Sequence, residues 1–163
     1  MRILMIDNES LRQKSMPVKN IDSETETLIA GMFELLNKHQ GVGLAAAQIG
    51  IPQRIFITQI GKDTPRAFIN PSIIETSEEL VDYEEGCLSL PGVWARIMRP
   101  KALRLQAWNE KGKPFTIDAE GILARVIQHE YDHLEGALFI DKLSALKRER
   151  LLSKYEKLKK SKK

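Results

Sequence analysis

A histidine, a glutamate and a second histidine stand close together in His129-Glu130-Tyr131-Asp132-His133. On an α-helix each residue turns by about 100°, so residues four positions apart lie on one face. Both imidazoles can therefore bind one metal ion, while Glu130 reaches toward a water that this ion activates. The alternative interpretation is a polar helix face with two unrelated histidines, because so short a pattern also arises by chance.

A catalytic site of this kind needs a third protein ligand and one open position for water. Glu135 follows His133 too closely to reach round the ion, and His39 lies at the end of a predicted helix, where we expect it to be solvated. Cys87 remains, and a thiolate binds iron, zinc, cobalt or nickel well. A lone cysteine is often only a buried small hydrophobe, but a histidine pair without a third ligand favours the metal interpretation.

The composition is typical of a globular protein of moderate size. The chain has 163 residues, of which 42% are hydrophobic and 29% charged, so it is long enough for one sizeable core. Its single cysteine excludes an intrachain disulfide, and no stretch has the roughly 20 apolar residues of a membrane span. The apolar run at the start is too short for a signal peptide. We therefore expect one catalytic domain over residues 1–163, in the cytoplasm and without membrane contact.

The net charge of +3 is unevenly distributed along the chain. Residues 154–163 contain six lysines and one glutamate, so they form a basic C-terminal tail. Such a tail is usually a solvated helix end, because the negative pole of the helix dipole favours cations there. Attraction to RNA or to another acidic surface is the alternative.

Helical patterns occur in three places. A capping box at residues 23–26 begins a helix that ends before Gly41. The motif helix is predicted from about residue 119 to residue 134, with Gly136 as its stop signal. It should be buried, because it is apolar nearly all round. A last helix begins after Ser144, which is its predicted N-cap.

Strand patterns lie between these helices. Apolar and β-branched residues predict strands at 54–60, 66–69 and 73–76, the last two separated by a turn at Asn70-Pro71. Residues 103–108 alternate between apolar and polar and predict a hairpin with one apolar face.

The glycines and the proline around Cys87 predict an irregular segment rather than a regular strand. Together the patterns predict an α+β domain, in which antiparallel sheets pack around a central buried helix that carries the histidine motif. A C-terminal helix completes this fold.

Three segments together resemble the signature motifs of the peptide deformylase family, most closely its bacterial form. They occur in the family's order and at similar spacing, and the resemblance covers almost the whole chain. Each motif alone is moderately specific, whereas the three in order are highly specific. Many members have proline or threonine where this chain has Ala47, a change that leaves the motif's function intact. The segments are Gly41-Val42-Gly43-Leu44-Ala45-Ala46-Ala47-Gln48, Glu85-Gly86-Cys87-Leu88-Ser89 and Gln128-His129-Glu130-Tyr131-Asp132-His133.

The resemblance implies a hydrolase that removes the formyl group from the N-terminal formyl-methionine of nascent polypeptides and releases formate. It implies one Fe²⁺ per chain, held by Cys87, His129 and His133, for which Ni²⁺, Co²⁺ or Zn²⁺ can substitute. Glu130 would act as base and then as acid. The backbone N–H of Leu88 and the side-chain amide of Gln48 would stabilise the oxyanion.

The resemblance also implies a substrate site. An extended formyl-peptide should pair with backbone near Val42 and Gly43. Arg99 matches an arginine that the family uses near the substrate, with a surface arginine as the alternative. Asp132 either supports a ligand histidine or lies on the helix surface. The residues expected to line an apolar slot for methionine are Val42, Tyr83, Ile122, Val126 and His129.

Two other functions compete with this one. An endoprotease with the same motif would activate water in the same way, but its usual third ligand is missing. A noncatalytic ribosome- or RNA-binding module would use the basic tail, with the metal as structural support, although structural sites usually fill all four positions with protein ligands. A compatible hypothesis is that the tail docks an active deformylase at the ribosome. We expect a monomer, since no long apolar stripe remains for a partner.

Overall fold

The computed structural model describes residues 1–162, which contain two antiparallel sheets and three α-helices. The predicted tail at 154–163 is thus described except for Lys163. Within these residues, no helix combines the length and the apolar composition needed to cross a membrane. The helices are α1 (Ser23–Lys38), α2 (Gly121–Leu134) and α3 (Ala145–Ser161). The strands are β1 (Gly43–Ala45), β2 (Ile55–Thr58), β3 (Arg66–Thr76), β4 (Leu80–Cys87), β5 (Leu90–Pro100), β6 (Ala102–Trp108) and β7 (Pro114–Glu120).

The motif helix α2 lies between the two sheets, which confirms the predicted α+β architecture. Strands β1, β2, β3, β6 and β7 form the larger sheet in that order, and β4 pairs with β5 in the smaller one. Helix α2 contacts β1, β2, β6 and β7 on one side and β5 on the other. Ala124, Ile127 and Leu134 of α2 are buried against apolar residues of β2, β3 and β6.

The N-cap of helix α1 lies one residue earlier than predicted. Asp22, not Ser23, is the N-cap, and its carboxylate accepts from the backbone N–H of Thr25 at 3.1 Å. A carboxylate there also interacts favourably with the helix dipole. At the other end Gln40 adopts a positive φ of 55°, so the helix has already ended when the chain reaches Gly41.

The predicted turn at Asn70-Pro71 lies inside a single strand, so the prediction of two separate strands was wrong. Proline lacks an N–H, and the register between β3 and β6 shifts between Ile69 and Ser72 at this place. The side chain of Asn70 accepts from the N–H of Val18 at 2.8 Å and donates to its carbonyl at 2.9 Å. These two bonds stabilise the irregularity, which allows the strand to continue past the proline.

The predicted start of the motif helix was also too early. Ala119 and Glu120 belong to β7, where they pair with β6, and the helix begins at Gly121, whose φ is +62°. A glycine takes this left-handed conformation without strain, so the strand turns directly into the helix. Burial is also less complete than predicted, because Ile122 in the first turn is 39% exposed.

The segment around Cys87 is more regular than predicted. Cys87 is the last residue of β4 and lies opposite Leu90, the first residue of β5, across a tight turn. The irregularity is confined to a register shift between Glu85 and Cys87. The hairpin therefore presents the thiol at the end of a strand rather than in a loose loop.

The C-terminal helix α3 confirms its predicted cap and lies against the smaller sheet. The hydroxyl of Ser144 accepts from the N–H of Lys147 at 3.3 Å. Tyr155 is buried among apolar residues of β5, with Leu158 beside it, whereas Leu146 is exposed. The apolar residues of α3 therefore pack against β5 and cover that part of the hairpin.

We expect Phe68→Ala to lower the free energy of unfolding by about 3–5 kcal/mol, as is usual for a buried phenylalanine. Phe68 is fully buried, and its ring stacks on that of Phe56 with centroids 4.6 Å apart. Urea denaturation would measure the change. Ile74→Ala is the matched control on the same strand, because Ile74 is 54% exposed and should cost far less. Equal losses in the two variants would contradict this account of the core.

Candidate metal centre

The three predicted ligand residues meet in one place. His129 and His133 lie on successive turns of α2, and Cys87 reaches them from the end of β4. One ligand atom from each lies within 4.8 Å of the other two, and the Sγ of Cys87 is 3.5 Å from the Nε2 of His133. His39, by contrast, is exposed at the end of α1, as predicted.

The donor set fits a divalent transition metal. His129 uses its Nδ1 in a 2.9 Å hydrogen bond with Glu85, which leaves Nε2 for an ion. His133 is buried, and burial, together with the nearby positive charges of His129 and Arg99, lowers its pKa well below the usual range. The ring is therefore neutral, which is the form that binds metals. One sulfur and two nitrogen donors suit iron, cobalt, nickel or zinc.

Glu130 lies beside this cluster and is almost free of polar partners. Its side chain is buried, and its Oε2 atom has no hydrogen-bond partner among residues 1–162. Burial raises the pKa of Glu130 to about 7. A carboxyl group with such a pKa can accept a proton and return it near neutral pH.

Glycine at position 43 permits the close approach of β1 to Glu130. A Cβ atom there would lie 2.7 Å from the Cγ1 of Val126 and 2.9 Å from the Oε1 of Glu130. Any larger residue would push β1 away from α2. These close contacts explain why the first motif has a glycine at position 43.

Gln48 is held with its amide nitrogen toward the cysteine. It lies in a short 3-10 helix, Ala46–Ile49, and its Oε1 accepts from the N–H of Ala45 at 3.0 Å. Its Nε2 donates to the hydroxyl of Ser89 at 3.1 Å and lies 3.6 Å from the Sγ of Cys87. These bonds leave the amide little freedom, so it is pre-oriented as a donor at the site.

Glu85 and Arg125, for which the sequence predicted no role, organise the candidate metal centre. Glu85 accepts from Arg99 at 2.6 Å and from Arg125 at 2.7 Å, in addition to its bond with His129. Burial alone would raise the pKa of Glu85, but the bonds with His129 and Arg99 lower it well below its usual range. Arg125 lies in an apolar stretch of α2, and this position could have indicated the pairing from the sequence, because a buried guanidinium requires an acidic partner.

The position of Arg99 rules out the interpretation of it as a surface arginine. It is 3% exposed, so it is not a surface residue, and it is not among the residues that line the cavity. Its guanidinium joins Glu85 to Asp132, whose carboxylate it reaches at 2.8 Å. The role of Arg99 near the substrate stays a prediction, and Asp132 is a partner of Arg99 rather than of a histidine.

A cavity of about 500 Å³ opens beside the cluster. Glu130, Gln48 and Leu88 line it, together with Gly43. Three of its apolar residues, Val42, Tyr83 and Ile122, are 39–46% exposed and so lie toward its mouth. The residues predicted to line a side-chain slot all border this cavity, and they are Val42, Tyr83, Ile122, Val126 and His129.

A family model described as polypeptide deformylase matches residues 1–149. The chain belongs to the polypeptide deformylase family. Among curated relatives, the peptide deformylase of Treponema pallidum (strain Nichols) is 44% identical over 158 residues, 97% of each chain. That of Phenylobacterium zucineum is 43% identical over 159 residues, which cover 95% of this chain and 94% of the relative.

Solved structures of deformylases share the whole fold. The peptide deformylase from Legionella pneumophila has a TM-score of 0.94 at 39% identity, covering 99% of this chain and 96% of that chain. The peptide deformylase from Ehrlichia chaffeensis in complex with actinonin has a TM-score of 0.93 at 36% identity, covering 96% of each chain. The predicted family and fold class are therefore confirmed.

The deformylase is a hydrolase of protein biosynthesis, and it removes the N-terminal formyl group from nascent polypeptides. The structure places a candidate metal-binding trio in this enzyme. Neither of the two competing functions, an endoprotease or a noncatalytic RNA-binding module, is needed to explain the motif.

We expect Cys87→Ser to fold and to lose most of its bound metal, because the alcohol is a far weaker ligand than a thiolate. Metal analysis of protein purified without oxygen, with circular dichroism to establish the fold, would measure this. His133→Ala should behave alike, whereas His39→Ala is the matched control and should retain its metal, since that side chain is exposed. Full metal content in Cys87→Ser would show that Cys87 is not an essential ligand.

Proposed function

We propose that this deformylase hydrolyses the formyl amide in the cavity beside Cys87, His129 and His133. The observation that carries the proposal is the convergence of three metal-ligating atoms within 4.8 Å of one another next to a buried acid with a pKa of about 7. Most of the cavity lining is apolar, which suits a methionine side chain. Residues 1–163 would form one catalytic domain, because both sheets and α2 contribute to the site.

We propose one Fe²⁺ per chain at these three residues, with Ni²⁺, Co²⁺ or Zn²⁺ able to substitute. When bound, the ion supplies a Lewis acid that lowers the pKa of water toward neutrality and polarises the formyl oxygen. The two histidines and the cysteine would hold the ion, and three protein ligands would leave room on it for the reaction.

Glu130 moves the proton in this proposal. Its partner-free Oε2 accepts a proton from the attacking water as the oxygen adds to the formyl carbon. Glu130 then gives that proton to the peptide nitrogen as the carbon–nitrogen bond breaks. Formate and a free amino terminus are the products, so the same carboxyl group acts as base and then as acid.

Gln48 and Leu88 stabilise the oxyanion that forms when water adds. The Nε2 of Gln48 is held near Cys87, and the backbone N–H of Leu88 follows the same cysteine. Donors that are already oriented toward developing charge need no reorganisation during the reaction. A donor of this kind typically contributes about 3 kcal/mol to the stability of the transition state.

The substrate peptide would lie along β1. This strand is at the edge of the larger sheet, with β2 as its neighbour, so an extended peptide can add beside it. Val42 and Gly43 would supply the backbone groups, and Tyr83, Ile122 and Val126 would surround the methionine side chain. N-formylmethionyl peptides and nascent chains are thus the proposed substrates, and the cytoplasm, where such chains emerge, is the proposed location. We propose a monomer.

We expect the wild type to release formate from formyl-Met-Ala-Ser. Glu130→Gln should lower kcat/KM by about 10²-fold or more, because the amide cannot accept the proton. Gln48→Ala should lower it by roughly 100-fold, through the loss of one oxyanion donor. A coupled formate assay on metal-loaded protein would measure these rates, and Gln106→Ala, at an exposed position on β6, should match the wild type.

Four further measurements separate this function from its competitors. Acetyl-Met-Ala-Ser should be a far poorer substrate, and actinonin, bound in the deformylase of Ehrlichia chaffeensis, should inhibit. Internal cleavage of casein without formate release would instead indicate an endoprotease. Bound metal with no hydrolysis of any formyl peptide would indicate the noncatalytic module.

We propose that the basic face of α3 docks the enzyme at the ribosome. Lys154, Lys157 and Lys160 are exposed and lie three residues apart along this helix, so they form one positive stripe. Replacing all three by Gln should weaken co-sedimentation with ribosomes and leave peptide turnover unchanged. The matched control replaces Lys14, Lys62 and Lys113, which are exposed elsewhere. Equal co-sedimentation of the two triple variants would contradict docking through α3.

A further inference from the structure

Arg125 is a buried guanidinium in the wall of a largely apolar cavity. Its side chain is 9% exposed, and its Nη1 donates to Glu85 at 2.7 Å and to the carbonyl of Ile97 at 2.8 Å. Its Nη2 donates to the carbonyl of Val81 at 2.7 Å. Since Val81 and Glu85 belong to β4 and Ile97 to β5, this one side chain connects α2 to both strands of the hairpin.

The same guanidinium supports Tyr83. Side chains alternate between the two faces of a strand, so Val81, Tyr83 and Glu85 lie on the same face of β4. Tyr83 therefore lies between Val81 and Glu85, two residues that accept hydrogen bonds from Arg125. The Cζ of Arg125 is 5.7 Å from the centre of the Tyr83 ring. Tyr83 is 46% exposed and borders the cavity, and the cation over its face is a contact that restrains the ring.

Two apolar residues of the same helix also line the cavity. Ile122 precedes Arg125 by three residues and Val126 follows it by one, and both line the cavity. The distance between these side chains and the Tyr83 ring therefore depends on how Arg125 holds β4 against α2. Removing the guanidinium would release the tyrosine and widen the slot.

We propose that Arg125 is a positioning residue that sets the width of the substrate slot by holding Tyr83 in place. A narrow slot admits an unbranched side chain such as methionine and disfavours a γ-branched one such as leucine. This inference rests on the proposed function, because it assigns the slot to the first side chain of the formyl peptide. Arginine is required, since its planar fork donates to three acceptors and still presents a face to the ring, which the point charge of lysine cannot do.

The test compares formyl-Met-Ala-Ser with formyl-Leu-Ala-Ser in the metal-loaded enzyme. The kcat/KM value for the methionine peptide divided by that for the leucine peptide should fall about two- to fivefold in Arg125→Lys and in Tyr83→Leu. This is the range that one cation–π contact provides. The effect should appear in KM rather than in kcat. The double variant should show no further fall, because both substitutions remove the same contact.

The controls separate positioning from a general loss of structure. Arg96→Lys on the exposed face of β5 should keep the wild-type ratio, and metal content and Tm should be measured for every variant. A purely structural role of Arg125 would lower kcat/KM equally for both peptides and leave the ratio unchanged. That result would overturn the inference. So would a double variant in which the ratio falls by the product of the two single-variant effects.

Two remaining outcomes are also decisive. If Arg125→Lys does not fold, Tyr83→Leu decides alone, and an unchanged ratio in that variant overturns the inference. If the wild type releases no formate from either peptide, the proposed function fails and this inference fails with it. An active wild type with unchanged ratios overturns only the role of Arg125.

Discussion

One buried carboxylate, that of Glu85, holds the metal centre to the rest of the molecule. His129 and Arg99 reach one of its oxygens, and Arg99 and Arg125 reach the other. Taking such charges out of water costs several kcal/mol for each ion, and only saturated pairing offsets this. Removal of one partner would leave an uncompensated charge and typically costs about 3–5 kcal/mol, so the cluster is stable only as a unit.

The position of the cysteine follows from this cluster. Glu85 stands two residues before Cys87 on β4, while His129 is one of the two histidines on α2. When α2 binds the carboxylate through Arg125 and His129, the end of the hairpin must lie beside the histidines. The candidate ligand from the smaller sheet and the two candidate ligands from the helix are therefore brought together by charge pairing, in addition to apolar packing.

Two buried acids of the site differ in charge because they differ in partners. Burial favours the neutral form of both, but donors on each oxygen lower the pKa of Glu85, which remains ionised. Glu130 has an oxygen without a partner among residues 1–162, and its pKa is raised to about 7. One carboxylate is thus a fixed structural charge and the other can exchange a proton. Gly43 makes this possible, because its missing side chain lets β1 cover Glu130 without supplying a polar group.

The sequence by itself indicated the candidate histidine pair and the fold class, because both depend on local geometry. The spacing of His129 and His133 is one helical turn, and periods of two and 3.6 residues mark strands and helices. Only the tertiary structure decided that Arg99 is buried and that Arg125 holds the hairpin. Glu85 and Arg125 are 40 residues apart, and periodicity records which face of an element is apolar, not whether a charge there finds a distant partner. That pairing exists only once the elements have packed.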